Sequence, residues 1–155
     1  MELFKDNVKK DGAVLKGFCE AVQNGDAEEV EKRFGDYLKN TVTIRDTFVR
    51  IKLKENFYHG ILLGLLGFMG NWSITSNKET GEGYSDIVLE FDDGETGIII
   101  EAKYAQNGNL EKESQKALEQ IERNNYEEAL RDEGIEHIIK YGIACYKNRC
   151  RVKKA

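Results

Sequence analysis

Gly83-Tyr84-Ser85-Asp86-Ile87-Val88-Leu89 and Ile98-Ile99-Ile100-Glu101-Ala102-Lys103 stand either side of the turn Asp92-Asp93-Gly94. Both runs are rich in β-branched residues, and the Gly-containing turn predicts that they pair as a hairpin. Side chains alternate along a strand, so Glu101 and Lys103 share one face and Ala102 takes the other. The three isoleucines ahead of Glu101 place that strand in the interior. Charge is costly there unless it is paired or binds a metal. Asp86 stands at the start of the neighbouring strand. The pattern asks for a divalent cation between Asp86 and Glu101, with Lys103 beside it.

The length of 155 residues allows one domain with a real core and is short for two. A hydrophobic content of 40% with 33% charged residues fits a soluble globular protein. The mixed-charge start, Met1-Glu2-Leu3-Phe4-Lys5-Asp6, does not resemble a signal peptide. The longest apolar stretch, Ile61 to Met69, is too short to span a bilayer and contains two glycines. Cys19, Cys145 and Cys150 lack metal-ligand spacing and are odd in number, which reads as reduced thiols and a cytoplasmic location. A net charge of −5 argues against sequence-independent coating of nucleic acid. It leaves room for a local basic surface, because Tyr146 to Ala155 holds five Lys/Arg and no acid.

Val14 to Gln23 has helical spacing, and Asn24-Gly25 ends it. Asp26 is a good N-cap for a second helix, Ala27 to Lys39. Residues 40–54 are ambiguous, since Val49, Ile51 and Leu53 alternate with basic residues as in a strand. Glu55 to Met69 reads as a central helix, apolar on most sides. Strands are expected over Trp72–Asn77, Tyr84–Phe91 and Thr96–Tyr104. A long amphipathic helix is expected from Glu111 to Leu130, with Ala117, Leu118, Ile121 and Ala129 toward the core. His137–Tyr146 is expected as the last strand. The core order is α-β-β-β-α-β behind two further helices.

Asp86, Glu101 and Lys103 suit phosphodiester hydrolysis. Mg²⁺ is a hard cation that takes one or two carboxylates and fills its octahedron with water. Such an ion polarises a phosphoryl oxygen and generates hydroxide. A nearby lysine can orient the attacking water or offset charge that develops on the phosphate. The plain alternative is a structural Glu-Lys pair at a strand end plus a turn aspartate. Glu55 could reach the same metal from the start of the central helix, or serve as a first-turn acid favoured by the helix dipole. Glu79 is either an accessory acid or a solvated loop residue. Gln120 could hold a metal-bound water, or be a polar flank. It and Tyr126 lie about 240° apart on a continuous helix, so they act together only if the helix ends near Asn124. His59 is read as a satisfied core histidine rather than a ligand. Gly81-Glu82-Gly83 lacks the features of a phosphate loop. Arg149, Arg151, Lys153 and Lys154 could contact a phosphate backbone or form a solubilising tail.

The series Glu79-x-Gly81-x-Gly83, Asp86-Ile87-Val88-Leu89, Ile99-Ile100-Glu101-Ala102-Lys103 and Ala117-Leu118-x-Gln120-Ile121 resembles the PD-(D/E)XK nuclease superfamily. Glu55-Asn56-Phe57-Tyr58-His59-Gly60 and Tyr141-Gly142-Ile143-Ala144 extend the resemblance over about Gly25 to Val152. It is closer still to the nuclease-like domain at the C-terminus of a group of bacterial AAA-type ATPase proteins. The resemblance implies an α/β, restriction-endonuclease-like core (αβββαβ), with a mixed central sheet flanked by helices and an N-terminal helical extension. One domain over 1–155 is expected, with the extension over 1–40 and the core over 55–152. Asp86 and Glu101 would be metal ligands, Lys103 the catalytic lysine and Gln120 a supporting polar residue. Mg²⁺ or Mn²⁺ would be the cofactor, and nucleic acid, DNA in the first place, the substrate. An AAA-type ATPase module is an implied partner, although these residues contain no Walker A sequence. Tyr84 stands where relatives often carry Arg. The alternative function is a non-catalytic nucleic-acid-binding or protein-interaction module that keeps the fold.

Overall fold

The structure, a computed structural model, describes residues 2–41, 51–78 and 85–155, with side chains for 12–41, 57–76 and 86–155. Its elements run α1 (Glu2–Gln23), α2 (Ala27–Thr41), α3 (Ile51–Leu66), β1 (Trp72–Lys78), β2 (Ser85–Phe91) and β3 (Thr96–Tyr104), then α4 (Leu110–Arg123), α5 (Tyr126–Asp132), β4 (His137–Tyr146) and β5 (Arg149–Lys154). The strands form one sheet in the order β1-β2-β3-β4-β5. Only the β3–β4 pair is parallel, and the other three pairs are antiparallel. Helices cover both faces of this mixed α/β sheet, the arrangement of a restriction-endonuclease-like fold.

The β2–β3 hairpin forms as the turn residues dictate. Gly94 takes φ +70°, which suits a residue without Cβ, and its N–H bonds to Phe91 O at 3.1 Å. Asp93 accepts the N–H groups of Glu95 and Thr96 at 2.8 and 3.0 Å. These bonds, Glu95's first, hold its carboxyl below the usual carboxylate range. Beyond the turn, Ile98, Ile99 and Ile100 are at most 1% exposed. Fully burying such a side chain contributes about 1.5–3 kcal/mol, enough to fix a strand whose two faces are both covered.

Alternation divides those isoleucines between two clusters. Ile87, Leu89, Ile98, Ile100 and Ala102 pack with residues of α1, α2 and α3, among them Phe18, Phe34, Leu38 and Leu62. The N-terminal helices thus share the core of the sheet. Tyr141 of β4 donates its hydroxyl to Val22 O of α1 at 2.8 Å. On the opposite face Val88 and Ile99 pack with Leu118, Ile121, Leu130 and Ile135.

Four expectations need correction. The helix expected over Glu111–Leu130 is two helices, because Asn125 adopts φ +56° and breaks the ladder after the C-cap Asn124. The break turns Ala129 to solvent and gives its place in the core to Leu130. The expected last strand is followed by another, β5, formed from the basic segment read as a possible tail. Its Cys150 and Val152 point inward while Arg149 and Arg151 stay exposed. Helix α3 already includes Ile51 and Leu53, so helix replaces the strand-like alternation there, while Val49 lies outside the described residues. Glu55 therefore sits in the second turn of α3 rather than at its start.

Two features hold α4 and the break against the sheet. Gly142 faces α4 so closely that an added Cβ would lie 2.4 Å from Ser114 O and 2.9 Å from Leu118 N. Lys140 on β4 pairs with Glu122 before the break and with Glu127 after it, the latter at 2.8 Å. Hydrogen bonds from Lys140 and then Arg131 hold the Glu127 carboxyl below its ordinary value of 4.5.

Gly142→Ala should destabilise the protein by at least 1–3 kcal/mol, since backbone of α4 would have to move. Gly60→Ala, on an exposed face of α3 with nothing within 4 Å, should stabilise by about 0.5–1 kcal/mol. Urea melts of the two variants check this, and a Gly142→Ala protein as stable as its parent would contradict the α4–β4 packing.

Glu127 supplies a pH dependence with a definite sign. A lowered carboxyl value means stability that is full above about pH 4.5 and is lost as pH falls through the folded value. Glu127→Gln should cost about 0.5–1 kcal/mol at pH 7 and flatten the acid limb of a plot of stability against pH. An unchanged acid limb would show that the Lys140 contact does not form.

Candidate active site

Pairing of β2 with β3 sets Asp86 opposite Glu101 and Ser85 opposite Ala102. Directly opposed Cβ atoms lie about 4.5–5.5 Å apart in such a pair. Val88 and Ile99 pack under α4 and α5, so alternation turns Asp86, Glu101 and Lys103 to that same face. The same alternation sends Ile87, Ile100 and Ala102 to the other core. Asp86 is 1% exposed and Glu101 0% exposed, while Lys103 is half-buried nearer the strand end. The structure thus brings together the three residues singled out from the sequence.

Helix α4 crosses this face and ends above Asp86. Gln120, at the edge of burial, donates from Nε2 to Asn124 Oδ1 at 3.3 Å. Asn124 in turn donates from Nδ2 to Asp86 Oδ2 at 3.2 Å. Asn124 was not among the residues expected from the sequence. Its signal was the Asn124-Asn125 pair, a helix-stop pattern inside a segment read as one helix. Gln120 therefore reaches the site through Asn124. The same break changes the direction of the chain before Tyr126, which packs at the margin of the Val88–Ile99 core.

Neither oxygen of the Glu101 carboxylate has a hydrogen-bond partner among the described residues. An ionised carboxylate buried in this way costs several kcal/mol. With Asp86 also ionised, repulsion across about 5 Å is on the order of 3 kcal/mol at an effective dielectric constant near 20. A cation held between them would offset both terms. The donor set consists of carboxylate oxygens in a closed space, which fits a hard cation such as Mg²⁺ or Mn²⁺ completed by water. Among the described residues no group of three or more His, Cys, Asp or Glu gathers, so such an ion would have few protein ligands.

Several other candidates lie wholly or partly outside the described residues. Glu55 is placed on α3, which packs on the far face of the sheet through Tyr58, Leu62 and Leu66, and its side chain lies outside the described residues. Glu79, Gly81-Glu82-Gly83 and Tyr84 also lie outside them. His59 is buried, with Nε2 2.7 Å from Ser76 Oγ. The three cysteines are free. Burial pushes the Cys19 thiol up to about 11 and that of Cys150 up to about 12, and raises that of Cys145 well above its ordinary value. Nucleophilic thiolates are depressed, not raised, so cysteine chemistry is not supported.

No curated protein matches the chain. The sequence model of one family matches residues 53–155. That span runs from within α3 to β5 and contains Asp86, Glu101, Lys103, Gln120 and Asn124. By this match the chain belongs to the PD-(D/E)XK nuclease superfamily.

Proposed function

We propose that the protein is a metal-dependent nuclease that hydrolyses phosphodiester bonds, in DNA in the first place. The observation that carries this reading is the dry, cross-strand pair Asp86 and Glu101, with both oxygens of Glu101 lacking a hydrogen bond among the described residues. Asp86 and Glu101 would hold Mg²⁺ or Mn²⁺, and Glu55 would join them only around the sheet edge, from a helix that covers the other face. When bound, such an ion supplies Lewis acidity and a water of lowered pKa.

The chain's own residues have separable tasks. Asp86 and Glu101 fix a negative, closed position at which a cation is favoured over water. Lys103, half-buried at the mouth of that position, brings positive charge to a scissile phosphate and orients a water for attack. Asn124 steers one oxygen of Asp86. Gln120 steers Asn124. Residues 1–155 act as one domain in this reading, because α1 and α2 share the core of the sheet. A cytoplasmic setting agrees with three free thiols. No helix among the described residues is long and apolar enough to cross a membrane.

Cleavage of a supercoiled plasmid with Mn²⁺, and its loss with EDTA, tests the activity. Glu101→Ala should lose both metal binding and cleavage. Lys103→Ala should keep the metal and lose most cleavage, since it removes help given only in the transition state. Asn124→Ala should lower activity by about 10- to 100-fold, the usual effect of freeing a ligand from the group that orients it. Cleavage by Glu101→Ala at the parental rate would assign the activity to another site or to a contaminant.

Melting curves with and without Mn²⁺ read the same site independently of turnover. Asp86→Asn removes one of two opposed charges, and the metal-free variant should be at least as stable as its parent. Metal at about 100 times its dissociation constant should add about 2.7 kcal/mol to the parent and almost nothing to the variant. Suppose instead that the variant loses 2 kcal/mol or more, as for a lost charge-assisted hydrogen bond, and neither protein responds to metal. Asp86 is then structural, and a non-catalytic module, accessory to an ATPase, replaces the nuclease.

A further inference from the structure

The basic C-terminal segment divides into two electrostatically distinct parts. Arg151 pairs with Glu31 and Glu111, each at 3.2 Å, and Lys153 also pairs with Glu111. Those cations are neutralised on the protein. Lys147 and Arg149, at the β4–β5 turn, are exposed and form no ion pair among the described residues. Both instead lie over the ring of Tyr146, with Lys147 Nζ 5.2 Å and Arg149 Cζ 5.6 Å from its centroid. A cation over an aromatic face is held in place yet keeps its charge and its outward donors.

The turn that carries them is fixed. Lys147 has φ +55°, and its carbonyl accepts a hydrogen bond from the Tyr58 hydroxyl of α3. The Tyr146 ring lies beside Gly108, where an added Cβ would be 3.6 Å away. It also meets Tyr104 of β3 with centroids 6.0 Å apart. Parallel pairing places Glu101 level with Gly142 and Lys103 level with Ala144. Tyr146 is thus four residues beyond the level of Glu101, or about 13 Å along the strands. That distance corresponds to about four nucleotides of rise at 3.4 Å each. Arg149 further borders a cleft of about 360 Å³ whose other charged residues are Lys32, Lys39, Arg151, Asp36 and Glu31.

We infer that Lys147 and Arg149, held over Tyr146, form a docking site for the phosphate backbone of the nucleic acid that enters the Asp86–Glu101 site. This rests on the nuclease reading for what lies next to the patch. In a chain of net charge −5, two rigid cations with no carboxylate partner among the described residues, at the active end of the sheet, select a polyanion. They fix its position and carry no base preference.

The test measures binding of a fluorescein-labelled 30-nucleotide single strand by anisotropy in EDTA, so turnover plays no part. Lys147→Asn/Arg149→Gln removes both charges, and asparagine tolerates the positive φ at 147. Its dissociation constant should rise about 10- to 30-fold near 0.1 M salt, and the slope of log K against log salt should fall in magnitude by about 1.4. Lys16→Gln/Lys116→Gln makes the same change in net charge at two exposed helix positions and should bind like the parent. Equal binding by the 147/149 variant, equal losses in both double variants, or no binding by the parent each overturns the inference. The single variants Lys147→Asn and Arg149→Gln, each expected to shift the slope by about 0.7, decide the matter if the double variant does not fold. The nuclease reading is judged apart from this, because plasmid cleavage by the parent can succeed or fail whatever the binding result.

Discussion

The antiparallel register of β2 on β3 is the constraint on which the rest depends. It sets Asp86 opposite Glu101 in a part of the sheet with no access to water. A slip of one residue would pair Asp86 with Ile100 or Ala102 and leave the two carboxylates on opposite faces of the sheet. Two devices oppose that slip. The turn at Gly94 is closed by the backbone and by Asp93. The isoleucine run is buried on both faces, so either cluster would lose its packing. The interactions that stabilise the hairpin are therefore those that hold two acids where neither is stable alone.

Helix α4 completes the site because it can approach β4 closely and because it stops in the right place. Gly142 permits the approach, having no side chain to meet the backbone at Ser114 and Leu118. Lys140 then ties Glu122 and Glu127, which flank the break, to the sheet. Asn124 lies between those tied points and reaches Asp86. Each contact is modest, yet together they fix one amide at one carboxylate oxygen. Stability and the geometry of the site are here the same set of contacts.

Charge is also distributed with position. The acidic excess of the chain is spread over helix surfaces, where Glu29, Glu113 and Glu127 find Arg33, Lys116 and Arg131 or Lys140. Glu111 and Glu31 neutralise the middle of β5. At the β4–β5 turn Lys147 and Arg149 form no ion pair among the described residues. An acidic protein can in this way present a local positive field to a phosphate backbone.

The hairpin, the three residues on it and the α/β class were legible in the sequence because local rules decide them. Alternation puts Glu101 and Lys103 on one face, and a Gly turn joins two β-branched runs. The family resemblance rested on the same residues, and the match over 53–155 bears it out. The end of α4 was missed because helical periodicity continues through Asn124-Asn125 and outweighs that stop signal, while packing of Leu130 against the sheet rewards the break. Strand β5 was missed because its cations outweighed a weak inward alternation of Cys150 and Val152. That alternation acquires meaning only when β4 offers an edge to pair with. Partners separated by tens of residues, such as Asn124 with Asp86 or Tyr58 with Lys147, belong to the tertiary structure alone. Spacing along a chain specifies which face a side chain takes, but not which distant group will be there to meet it.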